Sequence, residues 1–304
     1  MRILFIISLF LLISCRINDN KVVSDDDRPL VVVTTNLLAD VVQNIVKDSL
    51  RVESLMGEGV DPHLYKASIG DLRKLLNADI IFYQGLHLEG KLGEVLDKLS
   101  RTKNVMALAD QISPDQIRYV DERQVVPDPH IWFDVRVWKE VVESACSKLS
   151  EELPSHASYF RANTNQYLKE LDQLDGYIRD QVRLIDLDKR VLITSHDAFN
   201  YFGAAYDIEV RGLQGISTLS EFGLKDVSDL VKLIIDRDIN AVFVETSVSS
   251  RSLEAVIAGV RERGGHLSVG GMLYTDALGE IGQPEGTYIG MMKYNVDVIV
   301  KGLR

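Results

Sequence analysis

Cysteine is nearly missing from this 304-residue chain, which has only Cys15 and Cys146. A disulfide framework is therefore excluded as the source of stability. Positive charge is also short, with 34 Lys and Arg against 45 Asp and Glu and a formal net charge of −11. That field repels a polyanion, so nucleic acid is excluded as a partner. The apolar run from Ile3 to Ile13 has eleven residues. It is too short to span a bilayer as a mature helix, and a polytopic membrane fold is excluded. Familiar catalytic signatures are missing as well. No His-Glu-x-x-His, Gly-x-Ser-x-Gly, Gly-x-Gly-x-x-Gly or Walker loop occurs, which leaves a hydrolase or a nucleotide-dependent enzyme without its machinery.

What is present is a soluble globular composition, 46% hydrophobic and 26% charged, long enough for two medium domains. Arg2 followed by Ile3 to Ile13 reads as an export signal over residues 1–14. The string Leu12-Ile13-Ser14-Cys15 resembles a bacterial lipobox, in which the chain is cut before the Cys and Cys15 is lipid-modified. Cleavage removes one charge, Arg2, and takes the net charge from −11 to −12. Residues 15–28 are polar and aperiodic after Cys15, as a tether between lipid and domain would be. Cys146 lies among Trp138, Val142, Ala145 and Leu149 at helical spacing, which predicts a buried structural thiol.

From Pro29 onward strand and helix signals alternate. Strands are predicted at Leu30–Thr35, Leu50–Met56, Ala78–Tyr83 and Val105–Ala109, with a helix capped by Asn36 and others near Ser68–Leu76 and Glu89–Leu99. The rhythm then breaks. Starting at Pro154, the stripe Phe160, Tyr167, Leu171, Leu174, Ile178, Val182 and Ile185 predicts one helix of about 30 residues, or about 45 Å, interrupted only by Gly176. Afterwards strands are expected at Arg190–Thr194, Glu209–Gly212, Ala241–Glu245 and His266–Gly270. Helices are expected at Ala198–Ala205, Leu224–Ile235, Leu253–Arg263 and Tyr288–Leu303. The fold class is α/β: two lobes, each a mostly parallel sheet flanked by helices, joined by one long rigid helix. The lobes are expected at residues 29–153 and 188–304, with 154–187 linking them.

In such sheets ligands bind beyond the carboxyl ends of strands. His196 and Asp276 follow predicted strands of the second lobe and Glu245 ends one, all on one rim. In the first lobe the tripeptide Asp-Pro-His occurs twice, as Asp61-Pro62-His63 and Asp128-Pro129-His130. A given tripeptide of this composition is expected only about 0.02 times in such a chain. Proline fixes φ ahead of each His and holds the imidazole on a stiff loop, which suits a metal ligand. Three His and one Asp from four loops offer borderline nitrogens and one hard oxygen. That set matches Zn²⁺ or, with a bidentate carboxylate, Mn²⁺. Asp134, Asp197 and Glu245 are candidates to orient the imidazoles, although a cap or loop role is the plainer reading of each. His87, His156 and His266 lack any such context.

Four strings carry a resemblance: Gly59-Val60-Asp61-Pro62-His63-Leu64-Tyr65, Asp128-Pro129-His130-Ile131-Trp132-Phe133-Asp134, Thr194-Ser195-His196-Asp197-Ala198-Phe199 with Tyr201-Phe202, and Tyr274-Thr275-Asp276-Ala277-Leu278-Gly279. Together, and in this order, they resemble the TroA-like metal-binding solute-binding lipoproteins of zinc and manganese ABC transporters, from about Leu30 to the C-terminus. The resemblance implies two parallel-sheet lobes bridged by a rigid helix, one transition-metal ion in the cleft, and delivery to a membrane permease and ATPase. It also implies His63, His130, His196 and Asp276 as the ligands, in a monomer of the periplasm or outer surface that touches the membrane only through its lipid. The chain lacks the His-rich loop of many zinc members between Ala109 and Asp128. It has His196 where manganese-type relatives often carry Glu, so both Zn²⁺ and Mn²⁺ stay open. Two other readings are a surface adhesin, which no residue specifically favours, and a zinc hydrolase, which would need an open coordination position for water.

Overall fold

The computed structural model describes residues 26–120, 125–218 and 222–304. The expected export signal, Cys15 and most of the tether lie outside the described residues. In the first half, β1 (Leu30–Val33), β2 (Arg51–Ser54), β3 (Ile80–Tyr83) and β4 (Val105–Ala107) form an all-parallel sheet in the order β2-β1-β3-β4. They are connected through α1 (Asn36–Val46), α2 (Ile69–Asn77) and α3 (Gly93–Leu99). After α4 (Val135–Glu152) and α5 (Ala157–Val182), a second parallel sheet repeats the pattern. It has the order β6-β5-β7-β8, from β5 (Val191–His196), β6 (Glu209–Gln214), β7 (Ala241–Glu245) and β8 (Ser268–Leu273). Its helices are α6 (Asn200–Tyr206), α7 (Leu224–Asp236), α8 (Arg251–Glu262) and the C-terminal α9 (Tyr288–Leu303). Each sheet reverses strand order beside a central strand, β1 or β5. This is the topological switch that opens a crevice at the strands' carboxyl ends.

The two-residue alternation of the strands explains the core. Val31, Val33 and Phe82 from the first sheet and Leu192, Ala241 and Phe243 from the second join one continuous apolar cluster with α1, α4, α5 and α9. The opposite faces have separate cores: Leu30, Val32 and Ile81 pack under Leu75 and Leu96, and Val191, Ile193 and Val242 under Val231 and Val256. The two halves thus share one apolar interior.

Polar bonds lock the same junction. Trp132 donates its Nε1–H to Thr275 O at 2.9 Å, and Tyr288 donates to Trp132 O at 2.7 Å. Phe133 stacks on Phe199 with ring centres 4.2 Å apart. Asn36 binds Leu278 twice, its amide donating to the carbonyl at 3.2 Å and its oxygen accepting the backbone N–H at 3.0 Å.

Several expectations are adjusted. The cap of α1 is Thr35, whose hydroxyl accepts from Leu38 N, because Asn36 is engaged across the lobes. The long helix has 26 residues, or about 39 Å. Pro154–His156 forms a 3₁₀ turn before it, and the chain leaves the helix after Val182 while Ile185 still turns into the core. The apolar stripe therefore outlasts the helical hydrogen bonds. Strand β8 runs three residues past the expected Gly270, since Gly270 and Gly271 are strand residues at close packing. A Cβ there would press on Phe243 or Val298. Cys146 is a free, buried thiol of α4, as the spacing predicts. No helix among the described residues is long and apolar enough to cross a membrane.

A continuous core with inter-lobe hydrogen bonds resists opening, because splitting it would expose apolar surface to water. Small-angle scattering before and after zinc addition is expected to give the same radius of gyration within error. A large contraction on loading would contradict the shared core.

Candidate metal centre

The four candidate residues lie at or beyond the carboxyl ends of strands. His63 stands between β2 and α2, His130 between β4 and α4, His196 is the last residue of β5, and Asp276 follows β8 by three residues. They converge. One ligand atom from each of His63, His130, His196 and Asp276 lies within 4.8 Å of all the others, and every residue of the group is buried.

The repeated Asp-Pro-His has a local cause. In both copies the Asp side chain accepts the backbone N–H of the His two residues on, Asp61 Oδ1 from His63 at 2.8 Å and Asp128 Oδ1 from His130 at 3.0 Å. These are Asx turns, with proline pre-setting the middle residue. Neighbouring backbone then seats the imidazoles. A Cβ on Gly90, whose φ is +43°, would collide with the carbonyl of His63, and one on Gly212 would collide with the His196–Asp197 peptide. Buried Glu89 accepts from Thr34 Oγ1 at 2.8 Å and from the amides of Gln84 and Gly85. Gln84 in turn donates to Pro129 O at 2.5 Å, tying β3 to the His130 loop.

Ring tautomers are set from behind. Asp128 Oδ1 lies 2.8 Å from His130 Nδ1, and Glu245 hydrogen-bonds His196 Nδ1 while also accepting its backbone N–H at 2.8 Å. With Nδ1 donating, the Nε2 lone pair of each ring is free to bind an ion. Glu245 is therefore the orienting carboxylate among the three candidates. Asp134 caps α4 by accepting from Arg136 N at 2.9 Å, the plainer role. Asp197 lies beside the cluster, its carboxyl pushed up by burial. Asp128 was visible in the repeated tripeptide, but its bond to the ring was not.

Distances at the centre suit a small cation. His130 Nε2 lies 3.3 Å from Nε2 of His63, 3.3 Å from Nε2 of His196 and 3.5 Å from Asp276 Oδ1, and His196 Nε2 lies 3.6 Å from that oxygen. These four separations are those of donors sharing one ion through bonds of about 2.0–2.1 Å, while the group as a whole spans up to 4.8 Å. Asp276 Oδ1 is buried and makes no hydrogen bond. An acceptor left so is costly unless a positive charge meets it.

Titration follows the surroundings. Burial drives His63 down to about 4, against the pull of Asp276. Burial also disfavours charge on His130 and His196. It is outweighed by the hydrogen bond and charge of Asp128 for His130, and by the charges of Glu245 and Asp276 for His196. His130 is raised and His196 raised well above the usual range. Burial would lift Asp276, yet the charge of His196 and the nearby His130 ring hold it well below the usual carboxylate range. The other histidines stay out of the cluster: His87 and His266 are exposed, and His156 stacks on Phe160.

The chain matches the family described as "ZnuA: Zinc-uptake complex component A periplasmic" over residues 31–302. It is 45% identical over 281 residues to the manganese-binding lipoprotein MntA of Bacillus subtilis (strain 168), covering 92% of each chain. It is 30% identical over 284 residues to the metal ABC transporter substrate-binding lipoprotein SloC of Streptococcus mutans, covering 91% of each. Among solved structures it is similar to the periplasmic zinc binding protein TroA from Treponema pallidum, with a TM-score of 0.88, 42% identity, and coverage of 91% of this chain and 99% of that one. On the family match across nearly the whole described chain, joined to relatives at this identity and coverage, the protein belongs to the ZnuA family of periplasmic zinc-uptake components.

Proposed function

We propose that this protein carries one divalent transition-metal ion, zinc or manganese, outside the cytoplasm and delivers it to an ABC permease and ATPase for import. One observation carries the reading: three imidazoles and the unbonded Asp276 Oδ1 converge within 4.8 Å in a buried crevice. His63 and His130 hold the ion from residues 29–153, His196 and Asp276 from residues 188–304, with 154–187 as the brace. Three neutral imidazoles and one carboxylate leave a formal +1 on the loaded site, which burial tolerates better than a bare dication. Four buried protein donors exceed the three that a catalytic zinc site keeps beside its reacting water, which favours carriage over hydrolysis. Relatives named for manganese and for zinc, MntA and TroA, stand at similar identity, so both ions belong to the proposal. Nitrogen ligands bind Zn²⁺ more tightly than Mn²⁺, and purified protein is expected to prefer zinc.

The relatives named lipoproteins support an anchor at Cys15. Cys15→Ala is expected to move the protein from the membrane fraction into the soluble one; continued membrane partitioning would rule the anchor out.

Metal titration of His130→Ala beside the parent tests the site. The parent is expected to bind one ion, and loss of His130 to weaken zinc binding by at least about 100-fold, whereas His156→Ala binds as the parent does. Equal affinity of His130→Ala and parent would refute the assignment.

A pH dependence follows from the raised imidazoles. His130 and His196 hold protons to higher pH than an ordinary His, and an entering ion must displace them. Affinity should therefore rise with pH from about 6 to 8, spanning and exceeding the usual His value of about 6.5. His63, at about 4, adds a further loss only in stronger acid. Calorimetry in buffers of different ionisation enthalpy is expected to show proton release on zinc binding near neutral pH. Flat affinity with no release would contradict the charge arrangement.

A further inference from the structure

Each Asp of the repeated Asp-Pro-His turn holds its own His through one oxygen only. Oδ1 of Asp61 accepts the backbone N–H of His63, and Oδ1 of Asp128 that of His130. In both copies the other oxygen is taken by a side chain from the opposite half of the chain. Thr218, in the connection after β6, donates its hydroxyl to Asp61 Oδ2 at 2.6 Å, and Asn200, the first residue of α6, donates its amide to Asp128 Oδ2 at 3.2 Å. An ionised carboxylate only accepts, so both bonds run from the second half into the first. The Thr218 contact has the length of a charge-assisted bond, about 2.5–2.7 Å. Tyr201 doubles the hold on Asp128. The backbone N–H of Arg118 donates to the Tyr201 hydroxyl at 2.9 Å, and the hydroxyl proton goes to Asp128 O, 3.2 Å away.

We infer that Thr218 and the pair Asn200 and Tyr201 are positioning residues, through which the half that carries His196 and Asp276 holds His63 and His130 in register with its own ligands. The inference rests on the metal-carrying reading above. Neither His63 nor His130 lies in a strand or an α-helix. The Asx turn fixes the local shape around each His but not its place relative to His196, whereas the bonds across the halves tie that turn to the second sheet's loops. Losing one of them leaves Oδ1 on the His backbone and the turn intact. The turn is then free to shift against the facing ligands, and a site of this kind tolerates displacements of only about 0.5 Å. Thr218, Asn200 and Tyr201 act through Asp61 and Asp128, as the carboxylate partners of ligating imidazoles do elsewhere.

The test is zinc titration of the whole chain as parent, Thr218→Val, Thr218→Ser, Asp61→Ala, Asp61→Ala with Thr218→Val, and Asn200→Ala with Tyr201→Phe, beside proton–nitrogen spectra of the zinc-loaded parent, Thr218→Val and Asn200→Ala with Tyr201→Phe carrying ¹⁵N-histidine. Thr218→Val, and Asn200→Ala with Tyr201→Phe, are each expected to weaken zinc binding about tenfold. Thr218→Ser, which keeps the hydroxyl, is expected to bind as the parent does. On the Asp61→Ala background Thr218→Val should cost nothing further. In the spectra, Thr218→Val should move the ring signals of His63 more than those of His130, and Asn200→Ala with Tyr201→Phe the reverse. Parent affinity in both variants would overturn the inference alone, provided the parent binds one ion, and so would a Thr218→Val loss that persists in full on Asp61→Ala. A parent that takes up no ion would overturn the metal-carrying reading itself.

Discussion

A buried carboxylate oxygen without a hydrogen bond destabilises a protein by about 1–3 kcal/mol or more unless positive charge meets it, and Asp276 Oδ1 is such an atom at the centre of this molecule. Its surroundings make sense as a response to that requirement. Three imidazoles face it, two of them raised toward protonation by Asp128 and Glu245, so that protons supply the missing charge when no ion does. A divalent ion replaces those protons.

The scaffold serves that centre by restricting movement. His196 ends a parallel strand, Asp276 follows one by three residues, and His63 and His130 lie in the longer connections after β2 and β4; the backbone at Gly90 and Gly212 approaches so closely that a methyl group would displace His63 or His196. Behind them, one face of each sheet opens into a common core under α1, α4, α5 and α9. Trp132 shows the coupling at one residue: its ring lies edge-on to His130, its Nε1–H reaches Thr275 O, and its carbonyl accepts from Tyr288. A change in one half therefore reaches the neighbour of Asp276 through packed side chains, without a free hinge between lobes.

Much of this was legible in the sequence because it rests on local periodicity. Strand β7 and helix α9 fall on their expected bounds, Ala241–Glu245 and Tyr288–Leu303. The Asp-Pro-His pairs stood out because each is a self-contained turn whose hydrogen bond spans two residues. Illegible features depend on distant partners. Asn36 reads as a helix cap in the sequence although its amide binds Leu278, and nothing local separates Glu245 from Asp134 and Asp197 as the carboxylate that β7 places behind His196. The strand expected to end at Gly270 runs on to Leu273, because Gly270 and Gly271 admit Phe243 and Val298. That the four donors meet within 4.8 Å of one another is a property of how the two sheets pack together, which residue spacing does not encode.

The most direct test of the account is anomalous diffraction from crystals of the zinc-loaded protein, recorded on both sides of the zinc edge. The account predicts one strong anomalous peak per chain, bounded by Nε2 of His63, His130 and His196 and by Oδ1 of Asp276. A peak at any other place, or none in this crevice at full loading, would contradict it.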